Sequence, residues 1–148
     1  MTPLIDRMQQ WFVSLPHCAT LGLRFVDSAE NWVILAVDWR EELVGNPATG
    51  VLHGGVITSL VDTCSALSAV TGLEEAEAMA TLDLRIDYLK PAQPQQTVFC
   101  RAECYKLGRQ IAFTRAVCYQ QDMNNPIAHG LATFMRASSR AVLGGGQA

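Results

Sequence analysis

The chain predicts an α+β fold in which one long central helix is wrapped by a single curved antiparallel sheet. Three observations carry this. The run from about Gly54 to Thr71 is apolar nearly all round, with Val56, Ile57, Leu60, Val61, Leu67 and Val70 spread over its faces, as in a buried helix. Two strand-like runs precede it and four follow it. Only one long helical pattern exists, so an alternating strand–helix fold around a parallel sheet is excluded. The 148 residues suit one domain, 1–148, with enough chain to bury a core.

The elements follow in order. Over residues 3–14, Leu4, Met8, Trp11 and Phe12 share one face, which predicts an amphipathic helix with Pro3 in its first turn and Pro16 as its end. Leu21 to Val26 and Trp32 to Trp39 read as strands joined through Ser28-Ala29-Glu30-Asn31. The second is apolar on both faces in its middle, which predicts cover on both sides. Glu41 to Gly50 reads as a loop, and Gly72 as the stop after the helix. Ala80, Leu82, Leu84, Ile86 and Tyr88 then alternate with Met79, Thr81, Asp83, Arg85 and Asp87, a period of two. Further strands are expected at 98–105, 111–119 and 127–136, with turns at 107–110 and 122–126. Residues 138–148, with Gly144-Gly145-Gly146, are expected to fray.

The stretch Gly50-Val51-Leu52-His53-Gly54-Gly55 runs straight into the long helix. Glycines lack a Cβ, so a ligand can approach the backbone there. The first turn of a helix offers unpaired N–H groups and the positive end of the macrodipole, which suits an anion or a carbonyl about to become one. Asp62 is the only charged side chain between Glu42 and Glu74. At helical spacing it shares a face with Gly55, Ser59, Ala66 and Ala69, all small, which leaves room beside the carboxylate. Seven residues of helix separate Gly55 from Asp62, about 10 Å at 1.5 Å per residue. One carbonyl cannot easily touch both, so if both act on one bond the acid comes from a second copy of the chain. This predicts a dimer.

Composition narrows the rest. Hydrophobic residues make up 49% and charged residues 17%, which favours an oligomer that hides surface. No apolar run reaches the ~20 residues of a membrane helix. The N-terminus lacks the order of a signal peptide, and a cytoplasmic protein is expected. A net charge of −3 with no basic run argues against nucleic acid as a partner. The five cysteines, 18, 64, 100, 104 and 118, form no CxxC; they read as free buried thiols, and no metal site is expected. His17 and His129 read as structural. Asp83, Arg85 and Asp87 read as cross-strand charge pairs. Ser14, Ser59, Ser65 and Ser68 lack a nucleophile-elbow context.

The pattern Asn46…Gly50-Val51-Leu52-His53-Gly54-Gly55, with Asp62 nine residues after His53, resembles the hotdog-fold acyl-CoA thioesterases. The likeness is to the PaaI-like group of the 4-hydroxybenzoyl-CoA thioesterase superfamily. The strand from Ala80 to Tyr88 with Leu89-Lys90-Pro91-Ala92, Leu107-Gly108-Arg109 and Ile127 to Phe134 also look like that group, and the resemblance spans roughly 17–137. It implies a hotdog homodimer, often doubled into a homotetramer, with the active site at the subunit interface. It implies that the Gly55 N–H polarises the thioester carbonyl, that Asn46 and His53 shape that pocket, that Asp62 of the opposing subunit is nucleophile or general base, and that Thr81 helps place the water. Asn46 stands seven residues before His53, one more than that group leads one to expect, and Thr81 stands where some relatives have serine.

The function expected is hydrolysis of an aromatic or medium-chain acyl-CoA to free acid and CoA. CoA enters as part of the substrate and no cofactor is implied. Lys90, Lys106 and Arg109, near strand ends and turns, are candidates for the nucleotide phosphates. The alternative is a non-catalytic acyl-CoA-binding or regulatory hotdog protein. A hydratase on the same fold would need an Asp and His pair on one segment, whereas here His53 and Asp62 lie across a helix terminus.

Overall fold

The computed structural model describes residues 3–137. The tail 138–148, expected to fray, lies outside the described residues. The order is α1 (Pro3–Ser14), α2 (Pro16–Leu21), β1 (Leu23–Ala29), β2 (Trp32–Val37), a 3-10 turn (Glu41–Leu43), β3 (Val44–Asn46), β4 (Val51–Leu52), α3 (Gly54–Val70), β5 (Met79–Tyr88), β6 (Val98–Leu107), β7 (Ile111–Tyr119) and β8 (Ala128–Arg136). Six strands form one sheet in the order β1-β2-β6-β7-β8-β5, and every pairing in it is antiparallel. Helix α3 packs against β2, β5, β6, β7 and β8, so the sheet curls around it as expected.

Alternation explains the layering. Along β6, β7 and β8 the buried positions recur every second residue, and these face α3: Val98, Cys100, Ala102 and Cys104, then Ala112, Thr114, Ala116 and Cys118, then Ala128, Gly130, Ala132 and Phe134. Small side chains dominate this floor, which lets the helix sit close. At Gly130 a Cβ would fall 2.7 Å from Val61 Cγ1, so the helix and β8 meet where no side chain intervenes. All five cysteines are free and buried, as expected.

Several expectations need correction. Pro16 does not merely end α1; it occupies the first turn of α2, where a missing N–H costs nothing, and Gly22 closes that helix in the left-handed region at φ 73°. The first strand therefore begins at Leu23, not Leu21, and continues past a bulge between Phe25 and Asp27 to Ala29. The segment 41–50 is not plain loop: β3 and β4 pair across the turn Asn46–Gly50. On its outer face strand β2 is covered only in part: Ala36 there is fully buried. Its inner residues Val33, Leu35 and Val37 are fully buried, while Trp32 and Ile34 on the outer face are half-buried and Arg101 lies over the Trp32 ring at 4.9 Å. Arg85 pairs along its own strand with Asp87 at 3.2 Å, not across strands. Gly72 does follow the helix, though not in the left-handed conformation; a Cβ there would meet Leu107 Cδ2 at 3.1 Å.

Candidate active site

Helix α3 is buried on the sheet side, but Gly54, Gly55, Thr58, Ser59, Asp62 and Thr63 form an open stripe along its other side. Asp62 is thus half-buried, not enclosed. Its one hydrogen-bond partner among the described residues is Thr81 on β5, whose Oγ1 donates to Oδ1 at 2.8 Å. The structure brings these two expected residues together. Thr81 faces the helix because a bulge between Thr81 and Asp83 shifts the register of β5 against β8.

At the N-terminus of α3 His53 is the cap, and its Nδ1 accepts from the Gly55 N–H at 2.8 Å. The neutral ring therefore carries its proton on Nε2. The donor expected of Gly55 is engaged by its own histidine. The Gly54 N–H, at the first helical position, has no partner among the described residues. Both glycines have a steric reason to be there. A Cβ on Gly55 would lie 2.9 Å from His53 Nδ1, and one on Gly54 would lie 3.3 Å from Tyr88 Oη.

Asn46 is not joined to His53 or to the helix terminus by any recorded hydrogen bond. Its Oδ1 accepts from the Ala48 N–H at 3.0 Å, and its carbonyl accepts from the Gly50 N–H at 2.9 Å, so it holds the β3–β4 turn. Beside Gly54 a cleft of about 460 Å³ is lined by Val51, Leu52, Ile57, Ala92 and Ile127, with Lys90 among its walls. Lys106 and Arg109 lie at the other end of the strands: Lys106 Nζ stands over the Phe113 ring at 5.7 Å, and Arg109 is in the β6–β7 turn. Within one chain the three cations do not converge.

Sequence reasoning missed two neighbours of this stripe. Tyr88 Oη donates to the Gly54 carbonyl at 2.7 Å. His17 on α2 places Nε2 2.8 Å from Ser59 Oγ, and with His53 it lines a shallow cleft of about 380 Å³. Neither pair shows a local signal, since the partners are far apart in sequence.

The chain matches the thioesterase superfamily over residues 49–127, the span from the turn before His53 to the start of β8. It belongs to that superfamily. The match contains the N-terminus of α3, Asp62 and Thr81, and the enzyme is a hotdog-fold thioester hydrolase. Among its relatives, the medium/long-chain acyl-CoA thioesterase YigI of Salmonella typhimurium is 28% identical, over 82% of this chain and 85% of that one. Human acyl-coenzyme A thioesterase 13 is 30% identical, over 73% of this chain and 75% of its own length. A crystal structure of a Pseudomonas aeruginosa protein superposes with a TM-score of 0.82 at 42% identity, covering 91% of this chain and all of that one. No helix among the described residues is long and apolar enough to cross a membrane.

Proposed function

We propose that the thioesterase acts on medium-chain acyl-CoA esters at a site shared between two copies of the chain. The observation that carries this reading is how the two halves of the site are tethered. Asp62 is bonded to Thr81 near one end of β5, and Gly54 to Tyr88 at the other. Strand β5 is the edge of the sheet, ten residues long and largely exposed. So long a row of unpaired backbone groups invites a second strand. A two-fold axis beside Arg85 sets Leu84 against the partner's Ile86, and the bulged pair Thr81–Leu82 against the partner's Tyr88. The bulge keeps Thr81 on the inner face, as Tyr88 is, so an acid from one copy meets a helix terminus from the other. The helix rise of about 12 Å between Gly54 and Asp62 supports the same arrangement.

In this site the Gly54 N–H receives the thioester oxygen as it becomes an oxyanion, aided by the helix dipole. The Gly55 N–H and His53 hold the loop. Asp62 takes a proton from water through Oδ2, because Oδ1 is engaged, and the Thr81 hydroxyl can accept the water's other proton. Lys90 meets the phosphates of CoA from one copy, with Arg109 and Lys106 approaching from the other. The YigI relative, a medium/long-chain acyl-CoA thioesterase, favours a medium-length acyl chain over an aromatic one.

The test is release of free thiol from a panel of acyl-CoAs, with Asp62→Asn alongside. Losing the base lowers kcat by roughly 10²–10⁴. Equal activity in a mutant with the same assembly would remove Asp62 from the chemistry.

A further inference from the structure

Two successive glycines open α3, and glycine leaves the backbone freer than any other residue. A terminus that must aim an N–H at a developing charge cannot be loose, because preorganisation is what makes such a donor effective. The structure shows what ties it. The Gly54 carbonyl and the Gly55 N–H belong to one planar peptide. His53 Nδ1 holds its N–H end at 2.8 Å, and Tyr88 Oη holds its carbonyl end at 2.7 Å. Thr58 Oγ1 donates to the same carbonyl at 3.2 Å and stands 3.0 Å from Tyr88 Oη. The Tyr88 ring lies against Gly54, with Cζ 3.5 Å from where a Cβ would be.

We propose that Tyr88 is a positioning residue for thioester hydrolysis, its hydroxyl fixing the 54–55 peptide so that the adjacent Gly54 N–H keeps its aim. This rests on the hydrolytic reading above. A role in ring packing alone fits poorly, because the contact with the 54–55 peptide is made by the hydroxyl, and phenylalanine would fill the same ring volume.

The experiment pairs Tyr88→Phe with Thr58→Val and reads two quantities. One is the division of thiol-release kinetics between kcat and KM. The other is solvent exchange of the Gly54 and Gly55 amides, followed by NMR. Losing one hydrogen bond to the terminus lowers kcat about three- to tenfold while KM stays within about twofold. The Gly55 amide of Tyr88→Phe exchanges faster, and Thr58→Val moves both readouts the same way by less. A purely structural tyrosine would lower the melting temperature and leave kcat in place, which would overturn the proposal. Should Tyr88→Phe change the assembly, Thr58→Val, which leaves β5 intact, decides on the same readouts. The two readings fail separately: no thiol release by the parent chain sinks the hydrolytic reading, whereas unaltered kcat and unaltered exchange sink the role of Tyr88.

Discussion

If Asp62 and Gly54 serve one bond only across two copies, two inactive chains should rescue each other. Asp62→Asn removes the base. Gly54→Val disables the other half: a Cβ there already stands 3.3 Å from Tyr88 Oη, and two further methyls cover the N–H. The geometry sets the expectation. Along α3 the two groups are about 12 Å apart, more than the span of one thioester carbonyl and its attacking water. Strand β5 carries their tethers roughly 20 Å apart, and two-fold pairing of that strand exchanges its ends. In a mixed dimer one site receives Asp62 from the Gly54→Val chain and Gly54 from the Asp62→Asn chain, and is native; the other carries both changes. Mixed dimers, isolated by co-expression with two different tags, should show about half the thiol-release rate of the parent dimer, since about one site in two is intact. Each parent mutant should sit at least about a hundredfold below the native chain. A mixed dimer no faster than its parents would refute the shared site and place acid and terminus in the same subunit.

Two further outcomes test the packing and the charges. Gly130→Ala puts a Cβ 2.7 Å from Val61 Cγ1 and should cost about 1–3 kcal/mol in urea unfolding, and Val61→Ala in the same chain should recover most of it. Asp38 accepts from Arg24 at 3.0 and 3.1 Å and from Thr97 at 2.6 Å, and those hydrogen bonds hold its carboxyl below the ordinary range. Its folded pKa is depressed, so its contribution is present above the unfolded value and is lost as pH falls through the folded one; Asp38→Asn should flatten that acid limb of stability and leave the neutral side nearly level.

The frame of the molecule is legible in the residues because it depends on periodicity. Eleven buried residues of α3 and the every-second burial of β6, β7 and β8 are local patterns that one chain displays without help. The proposed dimer likewise rests on a local number, the rise per residue of a helix. What stayed hidden depends on partners brought together by the fold. Tyr88 reads as one more inward strand residue until β5 is laid along α3. Arg136 donates to both carboxylate oxygens of Glu77 and to the Gly108 carbonyl, a clamp that no spacing announces. Proline and asparagine are hard to read for a different reason: each supports two local structures. Pro16 both stops one helix and starts another, and Asn46 completes a turn with the groups expected to face the pocket.

The two halves of the site solve opposite physical problems. Asp62 sits in the middle of a long helix, where backbone hydrogen bonds on both sides fix it, and one threonine is enough to set its side chain. In the proposed site the terminus admits a substrate oxygen, which glycine permits, and glycine gives up rigidity in exchange for access. Rigidity is then restored from outside. His53 holds the first turn from its cap, and His53 is itself seated on β3 through the missing side chain of Gly45, where a Cβ would lie 2.7 Å from the His53 Cα. Tyr88 holds the same turn from β5, the strand on which the proposed dimer forms. In the proposed dimer the strand that recruits the second copy also steadies the terminus offered to it, so pairing and preorganisation are linked through one side chain.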